Sequence, residues 1–225
     1  MRWLALAAAG CGFHARAAAL DGSSDAPADG ARHADASRDG SMPLPDAPPP
    51  PIAFRQIKNT EGQNLMNVTV TLAQPVVAGD LLVVFVGWYK AGTVSSVADT
   101  GNDAFGVAVG PTPSGTETQT IYYACGATGA AAETVTVRFA SNNQDPDVRV
   151  VDYSGLAPTA CLDVAQANTG AGTAIDSGAL ATTTARDLLV AGDFQVNMTA
   201  TGDAQFTQRQ ISGFGDLVED RVVTT

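Results

Sequence analysis

The sequence predicts an all-β fold: an antiparallel β-sandwich of jelly-roll type, with a disordered N-terminal leader and linker. Three observations support this prediction. Residues 78–90, AGDLLVVFVGWYK, form a long run of β-branched and aromatic residues that begins at a Gly79-Asp80 turn. Many shorter segments alternate apolar and polar residues with the period of two that is typical of strands. No segment keeps the 3.6-residue apolar period of an amphipathic helix.

The first eleven residues have the pattern of an export signal. Arg2 precedes a short apolar run, and small residues lead to Cys11. The stretch Ala8-Ala9-Gly10-Cys11 resembles a bacterial lipobox, although Ala8 stands where leucine is usual. Lipidation of Cys11, plain secretion and a chance alanine run are the three interpretations. We expect the first, and because Gly12 rather than aspartate follows the cysteine, we expect an outer-membrane lipoprotein at the cell surface.

Residues 12–51 are predicted to be a linker. They repeat Asp-Gly, Asp-Ala and Ala-Asp steps and end in four consecutive prolines, residues 48–51. So few apolar residues cannot form a core, and proline runs favour an extended, stiff chain. We therefore expect a solvated tether in front of a single β-sandwich domain, residues 52–225.

The domain contains three alternating segments and seven further strand candidates. The apolar positions of the alternating segments are Val68, Val70 and Leu72; Ile121, Tyr123 and Cys125; and Val135, Val137 and Phe139. The other candidates are residues 52–58, 104–109, 147–153, 162–167, 187–196, 204–211 and 217–223. Turn residues separate them, for example at 142–146. The polar sides, including Thr120 and Tyr122, are expected to face solvent.

The central strand is apolar on both faces, so both faces need a cover. A crossing loop, or a partner or neighbouring module, could supply the second one. Its opening, Asp80-Leu81-Leu82-Val83, recurs as residues 187–190. We expect both strands to be interior in their sheets, with Val84, Val86, Val190 and Phe194 meeting in one core.

Several of these segments together resemble a known module. They are AGDLLVVFVGWYK, VADTGNDAF, GTETQTIYYA, DPDVRVVDYSGLAPTACLDV and GDLVEDRVVTT. The module is repeated in large secreted and surface proteins of environmental bacteria. The resemblance implies a β-sandwich of undefined function that occurs beside fibronectin-like or other adhesion domains. In that family one more hydrophobic strand follows, so the resemblance implies that the last strand is lacking here.

Charge and histidine placement exclude several functions. The net charge of −11 disfavours nucleic acid, which requires a basic face. Both histidines, His14 and His33, precede the domain, so the domain has no histidine for a catalytic triad or a zinc site. Glu219 and Asp220 are adjacent in a predicted strand and therefore point to opposite faces, which excludes them as a glycosidase pair. We expect no enzymatic activity.

The two cysteines of the domain have two interpretations. If Cys11 carries a lipid, Cys125 and Cys161 remain and can pair in an oxidising compartment. The alternative is a pair of buried free thiols.

One loop clusters oxygen-bearing side chains around a glycine. Asp99, Asn102 and Asp103 could bind calcium, which prefers oxygen ligands. The same residues are also the ordinary constituents of a tight turn. Calcium is the one cofactor that the sequence suggests.

Three aromatic residues could form a sugar-binding platform. Tyr122 is predicted to point outward, and Trp88 and Tyr89 end the central strand near a loop. Packing in the core is the alternative role for the tryptophan. We therefore expect a non-enzymatic structural or adhesive module of the cell surface, or alternatively a carbohydrate-binding module. Its expected partners are polysaccharide or protein of the envelope or exterior, with the membrane reached through the lipid alone.

Overall fold

The computed structural model describes residues 2–9, 49–89, 92–170, 173, 176–195 and 199–224. Within these ranges the regular structure consists entirely of β-strands, which confirms the all-β, antiparallel prediction. The strands are β1 (Arg2–Ala9), β2 (Ala53–Glu61), β3 (Leu65–Thr71), β4 (Leu81–Tyr89), β5 (Val94–Asp99), β6 (Gly106–Ser114), β7 (Glu117–Ala124), β8 (Thr134–Ser154), β9 (Leu162–Thr169), β10 (Arg186–Phe194), β11 (Thr207–Ile211) and β12 (Leu217–Thr224). The described residues contain no helix long and apolar enough to cross a membrane. The jelly-roll type stays a prediction.

The strands form three hydrogen-bonded layers. The first sheet has the order β11-β12-β10-β1-β9, and the middle sheet has the order β2-β8-β4-β7-β6. The third sheet is smaller, because β3 and β5 both pair with the first part of β8. The second part of β8 pairs with β2 and β4 instead, so one strand of 21 residues joins two sheets.

The predicted turn at residues 142–146 is therefore wrong, because β8 runs through it. Asn, Gln, Asp and Pro favour turns, but here the register shifts on both sides of the segment. Asp145 has a positive φ of 49° in the same place. Bulges of this kind bend a strand without ending it, and they allow it to pass from one sheet to another.

The central strand β4 is buried on both faces by this chain itself. Leu81, Val83 and Phe85 belong to a first core that β4 shares with the first sheet. The alternate residues Leu82, Val84, Val86 and Trp88 belong to a second core that β4 shares with the third sheet. The cover of the outward face is thus a sheet, not the crossing loop or partner that the sequence suggested.

Because of this alternation, the prediction that Val84, Val86, Val190 and Phe194 meet in one core is wrong. Val84 and Val86 lie in the second core, whereas Val190 of β10 lies in the first core with Val83 and Phe85. Phe194 is buried too, and its ring lies so close to Gly87 that a Cβ added there would clash with it. Both strands are interior in their sheets, as predicted. The prediction assigned Val84 and Val86 to the wrong face of β4. In a strand that is apolar on both sides, the sequence does not show which residues point to which core.

The alternating pattern of β7 also gave a wrong prediction of which side chains face solvent. Thr120 was expected to face solvent, yet it is 2% exposed. Thr118, Thr120 and Tyr122 lie opposite Trp88, Val86 and Val84 in the β4–β7 ladder. Residues paired across a ladder share a face, so these three point to the same side as the second core.

The segment predicted to be an export signal forms strand β1. It is antiparallel to both β9 and β10 and lies between them in the first sheet. Cys11 and nearly all of the predicted linker lie outside the described residues. Export and lipidation stay predictions, and cleavage before Cys11 would remove β1 from the sheet.

Candidate functional site

A cavity of about 280 Å³ opens beside the far end of β4. Its wall combines the end of β4, the chain that leads into β5, and strands β6 and β7. The lining residues are Trp88, Gly92, Thr93, Val94, Pro111, Pro113, Thr118, Thr120 and Tyr122. Two of the three aromatic residues selected from the sequence, Trp88 and Tyr122, therefore line one cavity. None of the lining side chains carries a formal charge at neutral pH.

Trp88 forms the fixed part of the wall. Its indole Nε1 donates a hydrogen bond to the carbonyl of Gly92 at 3.1 Å, and its ring meets Phe139 edge to face at 5.8 Å between centroids. It is 1% exposed. Trp88 is thus packed in the core, as the alternative interpretation held, and its indole contributes a buried apolar surface to the cavity.

Tyr122 offers a more accessible ring. It is half-buried, and burial raises the pKa of its hydroxyl above the ordinary value of 10. The hydroxyl therefore stays protonated at physiological pH and can donate and accept hydrogen bonds. Tyr89 follows Trp88 directly and lies on the opposite face of β4, because successive side chains in a strand alternate. Tyr89 does not line the cavity.

The chemistry of the cavity suits a neutral ligand. Aromatic and proline surfaces favour apolar contact, and the threonine hydroxyls can orient a polar group. Small-molecule sites in proteins begin at roughly 300 Å³, so this cavity suits a single ring rather than a long chain. A sugar ring with an apolar face and hydroxyl edges has the appropriate size and polarity.

The predicted calcium loop is a hydrogen-bonded turn. Asp99 Oδ1 accepts the amide of Asp103 at 2.8 Å, and Asp103 Oδ1 accepts both the amide and the hydroxyl of Thr128, at 2.8 and 2.7 Å. Asn102 has the positive φ of 57° that such turns favour. Burial, with Asp103 close by, raises the pKa of Asp99 to about 6. In the described part of the chain no three His, Cys, Asp or Glu side chains form a metal-binding group, and calcium stays a prediction.

Cys125 and Cys161 form a disulfide, as one interpretation predicted. Their Cα atoms are 5.8 Å apart, within the range that a disulfide spans. Cys161 is fully buried in the first core, and Cys125 packs against that core. The bond therefore connects the end of β7 to the chain that enters β9.

A cluster of buried acids was not foreseen from the sequence. We call Asp147, Asp193 and Asp216, which surround Arg149, the acid cluster; all four are 0% exposed. Arg149 Nη1 donates to the carbonyl of Leu217 at 3.0 Å, and its Nε lies 3.2 Å from Asp147 Oδ2. That second contact is an ion pair without hydrogen-bond geometry. The cluster occupies one end of the first core, between β8 and the first sheet.

The acid cluster has more carboxyl groups than positive charge. Burial raises the pKa of Asp147 and raises that of Asp216 well above the ordinary range, and in both cases Arg149 opposes the rise. Burial likewise raises the pKa of Asp193 to about 6. Asp193 Oδ1 accepts the amide of Leu217 at 2.6 Å. The cluster is inaccessible to a substrate, so we interpret it as a link between the two sheets.

Glu219 and Asp220 point to opposite faces, as expected for neighbours in a strand. Asp220 accepts the hydroxyl of Tyr153 at 2.7 Å and a two-point contact from Arg209 at 2.7 and 2.8 Å. Glu219 Oε2 instead accepts the amide of Asp203 at 3.0 Å. Asp220 therefore connects β12 to β11 and to β8 of the middle sheet, and Glu219 holds the chain between β10 and β11.

No family model, no curated protein and no solved structure matches this chain. The resemblance to the bacterial surface module stays a prediction. Of the two features described above, the cavity is open to a ligand, whereas the acid cluster is sealed in the first core.

Proposed function

We propose that this chain is a non-enzymatic structural or adhesive module of the cell surface. The observation that carries the proposal is the disulfide between Cys125 and Cys161, because such bonds form and persist in oxidising compartments outside the cytosol. The pattern of residues 1–11 supports export, and lipidation at Cys11 would hold the domain at the outer membrane through the linker. Its partners would be polysaccharide or protein of the envelope or the exterior.

The chemistry of the cavity supports binding rather than catalysis. General acid–base catalysis needs a group that can exchange a proton near physiological pH within reach of a substrate. The lining supplies threonine hydroxyls, prolines and two aromatic rings, and Tyr122 is its one titratable side chain. The carboxyls of the acid cluster, whose pKa values are raised, are sealed in the first core.

Metabolic labelling with a palmitate analogue tests the anchor. The wild-type chain should be labelled in the membrane fraction, and Cys11→Ala should not be. A membrane-impermeant biotin reagent applied to intact cells should modify the wild-type domain. Equal lipid labelling of both chains would contradict the lipid anchor, and a domain protected in intact cells but modified after lysis would contradict the surface location.

A carbohydrate-binding module is the second candidate, and one specific observation favours it. Trp88 and Tyr122 line the same cavity together with Thr118 and Thr120. Aromatic faces stack on the apolar face of a sugar ring, while hydroxyl groups select among its polar edges. The size of the cavity suits one ring at the end or branch of a polysaccharide.

A glycan array followed by calorimetry on the binding sugars tests this candidate. Tyr122→Ala should weaken binding by roughly tenfold or more, as expected when an aromatic contact in a binding site is truncated. Tyr89→Ala is the matched control, because it removes the same side chain from the opposite face of the same strand pair. A blank array, or equal losses for the two variants, would contradict a sugar site in the cavity.

A further inference from the structure

We propose that the position between β9 and β10 is a slot for an extended apolar strand supplied by another polypeptide chain. In this structure Arg2–Ala9 fills the slot, and the proposed cleavage before Cys11 would leave it empty. This inference rests on the proposed function in one step: export must remove the N-terminal segment. Whether the slot accepts a strand in trans is a separate property of the domain.

The backbone pairing defines the slot. Arg2–Ala9 forms ladders with β10 on one side and β9 on the other, antiparallel to both. Neighbouring strands in a sheet lie about 4.8 Å apart, so β9 and β10 are roughly 9.5 Å apart and cannot bond to each other directly. Removal of the middle strand leaves two facing rows of backbone N–H and C=O groups without partners.

The residues that border the slot define the strand it accepts. Three alternate positions of β1, those of Leu4, Leu6 and Ala8, lie opposite residues that belong to the first core or pack against it. Leu4 is registered with Gly192 and Ala167, Leu6 with Val190 and Ala165, and Ala8 with Leu188 and Leu162. Val190 and Leu188 are core members, and Ala165, Ala167 and Leu162 pack against that core. A matching strand therefore has about eight residues, with uncharged apolar residues at alternate positions.

Strand β10 is closely packed against the middle sheet at Gly192, the residue that is registered with Leu4. A Cβ added at Gly192 would lie 2.7 Å from the ring of Phe85 and 2.9 Å from the carbonyl oxygen of Leu217. The first sheet thus lies directly on the middle sheet at this point. Specificity would come from the register of the strand, because a slip of one residue would turn its apolar side away from the core.

The origin of the strand follows from the position of the predicted cleavage site. Cleavage before Cys11 removes all eight residues of β1 from every processed copy. Processed copies cannot then exchange this segment with one another. The occupant that fits is an extended segment of a different surface chain, which adds a strand as in other cases of β-strand addition.

The experiment uses the full chain with Cys11→Ala, to keep the N-terminal segment, and with a specific protease site inserted in the linker. The folded, oxidised protein is cut in the linker under native conditions. A fluorescent peptide with the sequence of Arg2–Ala9 is then added, and its anisotropy and the release of the cut segment are measured. Two control peptides carry one aspartate each: Leu6→Asp, opposite Val190, and Ala7→Asp, opposite Leu189 and Val164, which lie outside the first core.

We expect the cut segment to stay bound, to exchange with the labelled peptide, and to protect the domain against thermal unfolding. Leu6→Asp should weaken exchange at least about tenfold more than Ala7→Asp, because position 6 is registered with the core residue Val190, whereas both partners of position 7 lie outside the first core. A segment that stays bound and never exchanges would overturn the proposal. So would a segment that leaves without lowering the melting temperature while the peptide fails to bind. Failure of lipid labelling in cells would contradict lipidation at Cys11 and leave these binding results unchanged.

Discussion

The two cores on either side of β4 share one strand but end in opposite ways. The first core is closed at one end by the acid cluster, with Arg149 5.4 Å from the ring centroid of Phe85. The second core is apolar and ends in the open cavity beside Trp88. Buried charge makes the first core sensitive to pH and closed to ligands. The second core is built of apolar side chains and has a surface that a neutral ligand can reach.

The largest expected effect comes from Phe85→Ala in the first core. The substitution removes a fully buried ring and also the aromatic face next to Arg149. Loss of a buried phenylalanine costs about 3–5 kcal/mol of the free energy of unfolding. Val107→Ala is the control, because Val107 is 51% exposed and should change stability by less than about 0.5 kcal/mol. Urea unfolding curves that differ little between the two would contradict a packed first core.

The disulfide should contribute about as much. Replacing both Cys125 and Cys161 by alanine opens a loop with a sequence separation of 36 residues. The chain-entropy model gives about 3–4 kcal/mol for a loop of this length. The wild-type protein in reductant should lose a similar amount, and the double variant should not respond to reductant. A wild-type melting temperature that reductant leaves unchanged would show that this bond does not stabilise the first core.

The pH dependence should come from the buried acids. Burial raises the pKa of Asp193 from 3.8 to about 6, against the lowering effect of Arg149. The folded protein therefore keeps a proton that the unfolded chain has lost. The resulting stability is fully present below about pH 4 and is lost as the pH rises through about 6. The difference corresponds to roughly 3 kcal/mol at most.

Melting temperatures between pH 5 and pH 8 check this prediction. Stability should increase as the pH falls over that range, and Glu219 adds to the trend because burial raises its pKa to about 7. Asp193→Asn should reduce the slope of the profile, and the other acids with raised pKa values, among them Asp152 and Glu219, should account for the slope that remains. Val84→Ala in the second core should lower stability equally at every pH. Stability that rises with pH, or an unchanged slope in Asp193→Asn, would contradict the assignment.

Local pattern was sufficient for most of the fold. The alternation at Val68 and Val70, or at Val135 and Val137, indicates a strand with one buried face without any knowledge of its partners. Local alternation did not identify the segments that become strands only because they pair with another strand. Strand β5, VSSVAD, has two apolar residues three positions apart, and it is a strand because it pairs with β8. The third sheet that covers β4 was unforeseen for the same reason.

The site was predictable only in part. Trp88 and Tyr122 were selected as aromatic residues near a loop, but the cavity also needs Pro111 and Pro113 of β6 and the chain near Gly92. Their approach is a tertiary property. The acid cluster left a weak signal, because Asp147 and Arg149 alternate with Val148 and Val150 and therefore share the opposite face of an otherwise apolar strand. Nothing local indicates that Asp193 and Asp216 lie beside them.

Double-mutant cycles on β4 and β10 test most directly whether β4 separates two independent cores. Val83 and Val190 share the first core, whereas Val84 lies in the second. Val83→Ala combined with Val190→Ala should show a coupling of about 0.5 kcal/mol or more, as expected for residues that share a packed cluster. Val84→Ala combined with Val190→Ala should be additive within about 0.3–0.5 kcal/mol. Coupling between Val84 and Val190, with additivity for Val83 and Val190, would contradict the two-core arrangement.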